Sequence, residues 1–291
     1  MSSIKFDANN RPSIELSNGE RIQFNGVASE EYRVQRGESV ELVQQQCQQV
    51  ISRCKESGYD MSNLRNLVMA TLRYFQYDVT KAANAIIHNG DTFRKHKFIR
   101  SFDQLRHVFE AGLVWYLPGR NRDGSVGIVI ESGKNWNPSK IPLLDLWEAS
   151  RLAVELALND EMVQFSGFKM IVDCHGAGWD HFRAYSSKSA QIVLKLQRCR
   201  VFQITCHFVE NARLLSVGHS LLAPLLGNDF KQNCFFHGTD WSSLHQHVSP
   251  DCLISKYGGT APDYDHTLVG ELIDKMKHTL PVFKPWKSDE M

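Results

Sequence analysis

Four clusters of reactive residue types stand out in the chain, and spacing argues against chemistry in each. The run Val217-Gly218-His219-Ser220-Leu221-Leu222 comes within one residue of the G-x-S-x-G elbow that presents a nucleophilic serine, with Leu222 in place of the last glycine. An elbow must follow its strand directly, whereas the preceding Arg213, Leu214, Leu215 and Val217 read as helix. A lipid esterase using Ser220 is therefore an alternative and not the leading reading. Gly176-Ala177-Gly178 opens like a dinucleotide loop, but His181 stands where the third glycine belongs. His237, His245 and His247 invite a metal, yet residues two apart do not share a helix face, so no metal is expected. Asp173, Cys174 and His175 are consecutive, which sends alternate side chains to opposite faces of a strand and keeps nucleophile, base and orienting group apart. No catalytic residue and no cofactor are expected.

The elements that would position these residues follow from periodicity. Residues 1–37 are polar and carry turn signals at Asn18-Gly19 and Asn25-Gly26, which predicts a loosely attached extension. Residues 38–101 carry helical stripes: Val40, Leu42, Val43, Cys47, Val50 and Ile51, then Leu64, Leu67, Val68, Leu72 and Phe75, then Val79, Ala82, Ala83, Ile86 and Ile87. Three packed helices satisfy them. From residue 102 to 265 short apolar runs at 126–130, 168–174, 201–209 and 233–236 alternate with helical patterns, which predicts an α/β domain with parallel crossovers. Residues 266–291 are a C-terminal helix and tail. Within the α/β part, Trp147, Ser150, Val154 and Leu158 fall at spacings of 3, 4 and 4 on one helix face, a greasy stripe with one hydroxyl.

Composition narrows the function. The chain has 291 residues, 42% hydrophobic, and its 33 Lys+Arg nearly cancel 32 Asp+Glu. That balance offers no basic field for phosphates, so nucleic acid is not an expected partner. Seven cysteines without a C-x-x-C pair suit reduced, buried thiols. The start, Met1-Ser2-Ser3-Ile4-Lys5, lacks an apolar signal core and a glycine for myristoylation, and the most apolar stretch, 214–226, is broken by Ser216, Gly218, His219 and Pro224. The expectation is a cytosolic, monomeric protein.

Three segments carry a family resemblance. Phe236-His237-Gly238-Thr239-Asp240-Trp241-Ser242-Ser243-Leu244-His245-Gln246-His247-Val248-Ser249-Pro250-Asp251, followed by Tyr257-Gly258-Gly259-Thr260, resembles the CRAL-TRIO family in its animal retinaldehyde and tocopherol carrier branch. Val172-Asp173-Cys174-His175-Gly176 matches that family's D-x-x-G strand end, and Leu72-Arg73-Tyr74-Phe75-Gln76-Tyr77-Asp78-Val79-Thr80-Lys81-Ala82 its helical "LRARKFDVEKA" segment. The resemblance implies a helical N-terminal domain, then an α/β domain whose mixed, mostly parallel sheet encloses a hydrophobic ligand cavity. It implies ligand contacts from Trp136, Trp147, Ser150, Val154, Phe168, Met170, Val172, Tyr185, Val193, Leu196 and Phe202. It also implies a gate helix over 214–226, with Leu215 and Leu222 toward the ligand and Leu214, Val217, Leu221 and Leu225 toward a membrane. The family's basic head-group cleft reads Ala223, Asp229 and Asn233 here, which leaves Arg73 and Lys231 as its anionic contacts. The implied function is carriage of a retinoid-, tocopherol- or carotenoid-like molecule, or another lipid, between membranes touched transiently. A non-transporting adaptor with a collapsed pocket is the further alternative.

Overall fold

A computed structural model describes residues 1–96, 100–185, 187–189, 201–211 and 232–277. The chain opens with a three-stranded antiparallel sheet of β1 (Ser3–Phe6), β2 (Pro12–Glu15) and β3 (Arg21–Ile22) in that order. Ile14 and Leu16, then Ile22 and Phe24, are spaced two apart, so each pair points to one face, and all four join the main hydrophobic core. Phe24 packs on Tyr116 with ring centroids 4.6 Å apart. The backbone beyond then docks on two acidic side chains: Gly26 N–H donates to Asp160 Oδ2 at 2.6 Å and Ala28 N–H to Glu161 Oε2 at 3.0 Å. This corrects the expectation of a loose extension. The apolar residues are few, but their period of two gives a small sheet one buried face, a signal that the turn residues masked. Hydrogen exchange should show it: the Leu16 amide, which donates to Glu20 O at 2.8 Å, should exchange at least about a hundredfold slower than in a free peptide. Free-peptide rates there would refute the docking.

Helices follow where the stripes predict them. After α1 (Glu30–Gln35), α2 (Val43–Glu56), α3 (Arg65–Tyr74) and α4 (Val79–His96) close a second core on Cys47, Val50, Val68, Leu72, Ala82 and Ile86. Tyr59 lies so close to α4 that a Cβ at Gly90 would sit 2.5 Å from its ring, and its hydroxyl donates to Asp91 at 2.5 Å. A side chain at position 90 would push that ring out.

The remainder is α/β: α5 (Phe102–Glu110), β4 (Val114–Arg120), β5 (Val126–Glu131), α6 (Leu143–Ala157), α7 (Glu161–Ser166), β6 (Phe168–Asp173), α8 (Trp179–Tyr185), β7 (Ile204–Val209), β8 (Cys234–Gly238), α9 (Trp241–His245) and α10 (Leu268–Met276). The sheet order is β4-β5-β6-β7-β8, with β4 antiparallel to β5 and the other pairs parallel. This is the mixed, mostly parallel sheet that was expected. Strand β4 is an addition: its Pro118 and Gly119 disguise it, and an edge position tolerates both.

Candidate functional site

Parallel register converts alternating residues into rows across one sheet face. Val126, Phe168 and Ile204 form one row, Ile128, Met170, Cys206 and Cys234 the next, and Ile130, Val172, Phe208 and Phe236 the third. Helix α6 packs on this face, because Tyr116, the β4 partner of Ile128, donates its hydroxyl to Ala153 O at 2.5 Å. Coverage falls off across the sheet: Phe168 is 1% exposed and Met170 7%, whereas Ile204, Phe208 and Cys234 are half-buried and Phe236 is 36% exposed. Phe208 and Phe236 stack with centroids 4.8 Å apart and planes 8° from parallel, and Phe202 meets Phe168 edge-on at 5.4 Å. The outer half of this face is thus a contiguous apolar surface.

An aromatic wall stands at the C-terminal ends of β5 and β6. Buried Trp136 donates Nε1–H to Ile141 O at 2.9 Å, and Tyr185 meets its ring edge-on at 5.7 Å. His181 Nε2 lies 2.9 Å from Gly133 O and 3.0 Å from Trp136 O, which pins α8 against this loop. Burial, with a smaller push from Cys174, raises the Tyr185 phenol well above its ordinary pKa and keeps it neutral. Tyr185 and His181 are both half-buried polar side chains of this wall.

The residues expected to line a cavity divide accordingly. Phe168, Met170, Val172 and Phe202 come together, Trp136 and Tyr185 form the wall, and Ser150 and Val154 are buried on α6. The hydroxyl of Ser150 donates to Trp147 O at 2.7 Å, so its own helix occupies it. Trp147 turns the other way, packing on the helical core with its ring 6.0 Å from Phe93. Val193, Leu196, Lys231, Ser220 and the gate residues Leu214, Leu215, Val217, Leu221, Leu222 and Leu225 lie outside the described residues. Arg73 has a different occupation from the head-group contact expected of it: its side chain is 3% exposed, its Nε lies 2.9 Å from Glu38, and its guanidinium covers Phe165 at 3.9 Å. Ile204, Phe208, Cys234 and Phe236 were missed as face residues, although their alternation within two short runs was the available signal.

The opposite face mixes buried Val129, Ile171 and Val209 with polar groups that bond one another. Asp173, of the D-x-x-G segment, accepts from Tyr257 Oη of Y-G-G-T at 2.8 Å and from Lys256 Nζ at 2.6 Å, and Lys256 also reaches Glu131 at 2.9 Å. Burial opposes the Lys256 charge, but the two carboxylates outweigh it and hold its pKa up. Two motifs 84 residues apart thereby lock the ends of β5 and β6. Gly259 belongs to the same lock, because a Cβ there would fall 1.9 Å from Leu253 O. Of the three histidines singled out from sequence, His237 and His247 meet His207, while His245 bonds Tyr257 O at 3.1 Å. Among the described residues no group of three or more His, Cys, Asp or Glu is arranged to hold a metal.

A helical unit followed by a mixed sheet, with one face apolar and bounded by an aromatic wall, defines an α/β protein built around an apolar surface. The CRAL/TRIO domain model matches residues 110–259, and the chain belongs to that family. Clavesin-1 of Rattus norvegicus is 30% identical over 202 residues, covering 66% of this chain and 52% of that protein. Clavesin-1 of Xenopus laevis is 30% identical over 147 residues, with 47% and 42% covered, and clavesin-2 of Homo sapiens is 29% identical over 147 residues, with 47% and 43% covered. The chain therefore matches about half the length of these relatives. The crystal structure of Sfh5 aligns at a TM-score of 0.47 and 12% identity, covering 78% of this chain and 89% of that one. Among the described residues no helix is long and apolar enough to cross a membrane.

Proposed function

We propose that this protein holds one hydrophobic small molecule or lipid against the outer half of the sheet face and carries it between membranes without making or breaking a bond. The observation that carries this reading is the three-row apolar face, whose exposure rises from Phe168 to Phe236 across strands that a purely structural core would cover evenly. Membership in the CRAL/TRIO family supports it. Apolar burial at about 25 cal/mol per Å² would supply the affinity, with Tyr185 orienting a polar end. The ligand class is retinoid-, tocopherol- or carotenoid-like, or a lipid with an apolar body. Native mass spectrometry of purified protein, with organic extraction and an absorbance scan for polyenes, should find one apolar species per chain. A clean apo mass that takes up no retinol, tocopherol or phospholipid overturns the reading in favour of an adaptor.

Transfer needs contact with a bilayer, and α8 offers it. Trp179 is 78% exposed and meets Phe182 edge-on at 5.8 Å, on the helix whose Tyr185 forms the aromatic wall. Lys134, whose side chain lies beside Gly176 just before α8, is exposed, as is Arg183, which pairs with Asp180 at 3.5 Å. Such an aromatic pairing suits the membrane interface, where tryptophan concentrates. Trp179→Ala should weaken partition onto anionic vesicles about fivefold, from roughly 1 kcal/mol of lost partial burial, with ligand content unchanged. Equal partition of variant and parent removes α8 from the contact.

A further inference from the structure

We infer that Cys206 and Cys234 form a redox-responsive dithiol in the floor of the ligand face, closing to a disulfide when a hydroperoxide reaches it and changing what the face can hold. The bond chemistry rests on strand register alone; its consequence for ligand rests on the function proposed above.

Cys206 on β7 and Cys234 on β8 are direct partners in the parallel ladder, anchored by Cys206 N–H donating to Asn233 O at 2.8 Å, and both are thiols. Phe208 and Phe236, two residues further along each strand, stack at 4.8 Å, so side chains of this parity leave both strands on the same side. Neighbouring strands lie about 4.8 Å apart, within the roughly 4.4–6.8 Å Cα separation of disulfides. Side chains of a parallel pair leave side by side, so their Cβ atoms start a little further apart than the bridge prefers. Closing it must draw the strands together locally. Strand β8 can give, because among the described residues it is an edge strand paired with β7 alone, and the ladder already shifts register just past Phe208. A bridge closed against such strain is readily reduced, which suits a reversible response better than a permanent staple.

Exposure sets the order of events. Cys234 is half-buried on the face, while Cys206 is 5% exposed beneath it. The Cys234 sulfur attacks the terminal oxygen of the hydroperoxide: an S–O bond forms, the O–O bond breaks, and an alcohol leaves with the thiol proton. The Cys206 sulfur then attacks the sulfenic sulfur, forming S–S, breaking S–O and releasing water. Two thiols lose two electrons, and the hydroperoxide becomes alcohol and water. The other buried cysteines are poor competitors: burial pushes the Cys54 thiol up to about 11, and the Cys174 and Cys252 thiols up to about 12. A hydroperoxide of an apolar chain would be delivered to Cys234 by the face itself.

The full chain is treated with one equivalent of a fatty-acid hydroperoxide, alkylated without reduction, and mapped by peptide mass spectrometry beside Cys234→Ser. We expect one bridge joining the Cys206 and Cys234 peptides, reversed by dithiothreitol and absent from the variant, whose far-UV circular dichroism and melting transition match those of the reduced parent and show that it is folded. Retinol uptake by the bridged parent should differ from the reduced parent by at least about threefold. Two alkylated thiols, or a bridge to Cys199 or any other cysteine, overturn the pair, and equal uptake by both forms overturns the coupling. A bridge in a protein that takes up no apolar ligand in either state upholds the dithiol and sinks the carrier reading instead.

Discussion

Arg73→Met should lower stability by about 3–5 kcal/mol while leaving anionic-vesicle binding, measured well below the melting transition, unchanged. The guanidinium is enclosed by charge and ring contacts. Nε and Nη2 donate to the two oxygens of Glu38 at 2.9 and 3.3 Å, Nη1 donates to Gln164, and the plane lies 3.9 Å over Phe165. Glu38 has a side chain 0% exposed and also accepts from Tyr77 Oη at 3.1 Å. Removing the arginine takes away the nearer counter-charge of that buried carboxylate and both of the hydrogen bonds it donates, leaving only Arg33 Nε at 3.9 Å, which is the costly half of breaking a buried pair. Replacing both, as Arg73→Met with Glu38→Met, should recover much of the loss, because the desolvation cost then disappears from both sides. The network spans α3, the loop between α1 and α2, and α7, so its loss also loosens the helical unit from the α/β sheet. A melting temperature within about 2 °C of the parent, with vesicle binding weakened, would return Arg73 to a head-group cleft.

The same residue shows where sequence reading stops. Arg73 stands in a segment that resembles a family motif, and a resemblance transfers position, not surroundings: nothing in the local pattern says that Glu38, 35 residues earlier, closes over it. Periodicity did better where one element carries its own burial pattern. The β6 run, apolar from Phe168 to Val172 apart from Lys169, and the stripes of α2, α3 and α4 became buried elements as expected, because a strand covered on both faces and a helix with one greasy side have little alternative. Trp147 fell on the predicted face of α6 yet turned to the helical unit, since a helix wedged between two cores has two apolar sides and spacing does not say which core takes which ring. The outer rows of the sheet face were invisible for a related reason. Cys206 and Cys234 are 28 residues apart, and only parallel register sets them side by side.

Register also assembles the group that governs acid stability. His207 on β7 and His237 on β8 are joined from Nδ1 to Nε2 at 3.0 Å, with Thr205 Oγ1 2.9 Å from the outer nitrogen of His207 and Ser243 Oγ 2.8 Å from that of His237. Each imidazole can donate one N–H and accept at its other nitrogen, so the chain of four groups is satisfied with both rings neutral. His247 stacks obliquely on both rings, Lys169 adds positive charge on the β6 side, and Asp240 alone favours protonation, at His237. Burial first, then His237, His247 and Lys169, push His207 down to about 3; burial and His247 push His237 down to about 4. In the unfolded chain both titrate near 6.5. Between that value and the folded ones the unfolded state binds more protons, so stability is full above about pH 6.5, falls as the pH drops below it, and levels off only below about pH 3–4. From pH 7 to pH 5 the pair should cost on the order of 4 kcal/mol, a fall in melting temperature of roughly 10 °C. Carboxylates in their usual range remain ionised over that interval, so the loss belongs to histidine. His207→Phe with His237→Phe keeps the stacked rings beside Phe235 and removes both titrating groups. Its melting temperature should change by less than half as much between the two pH values, the remainder coming from His247 and His266, which burial also holds low. An equal fall in parent and double variant would place the acid sensitivity elsewhere in the molecule.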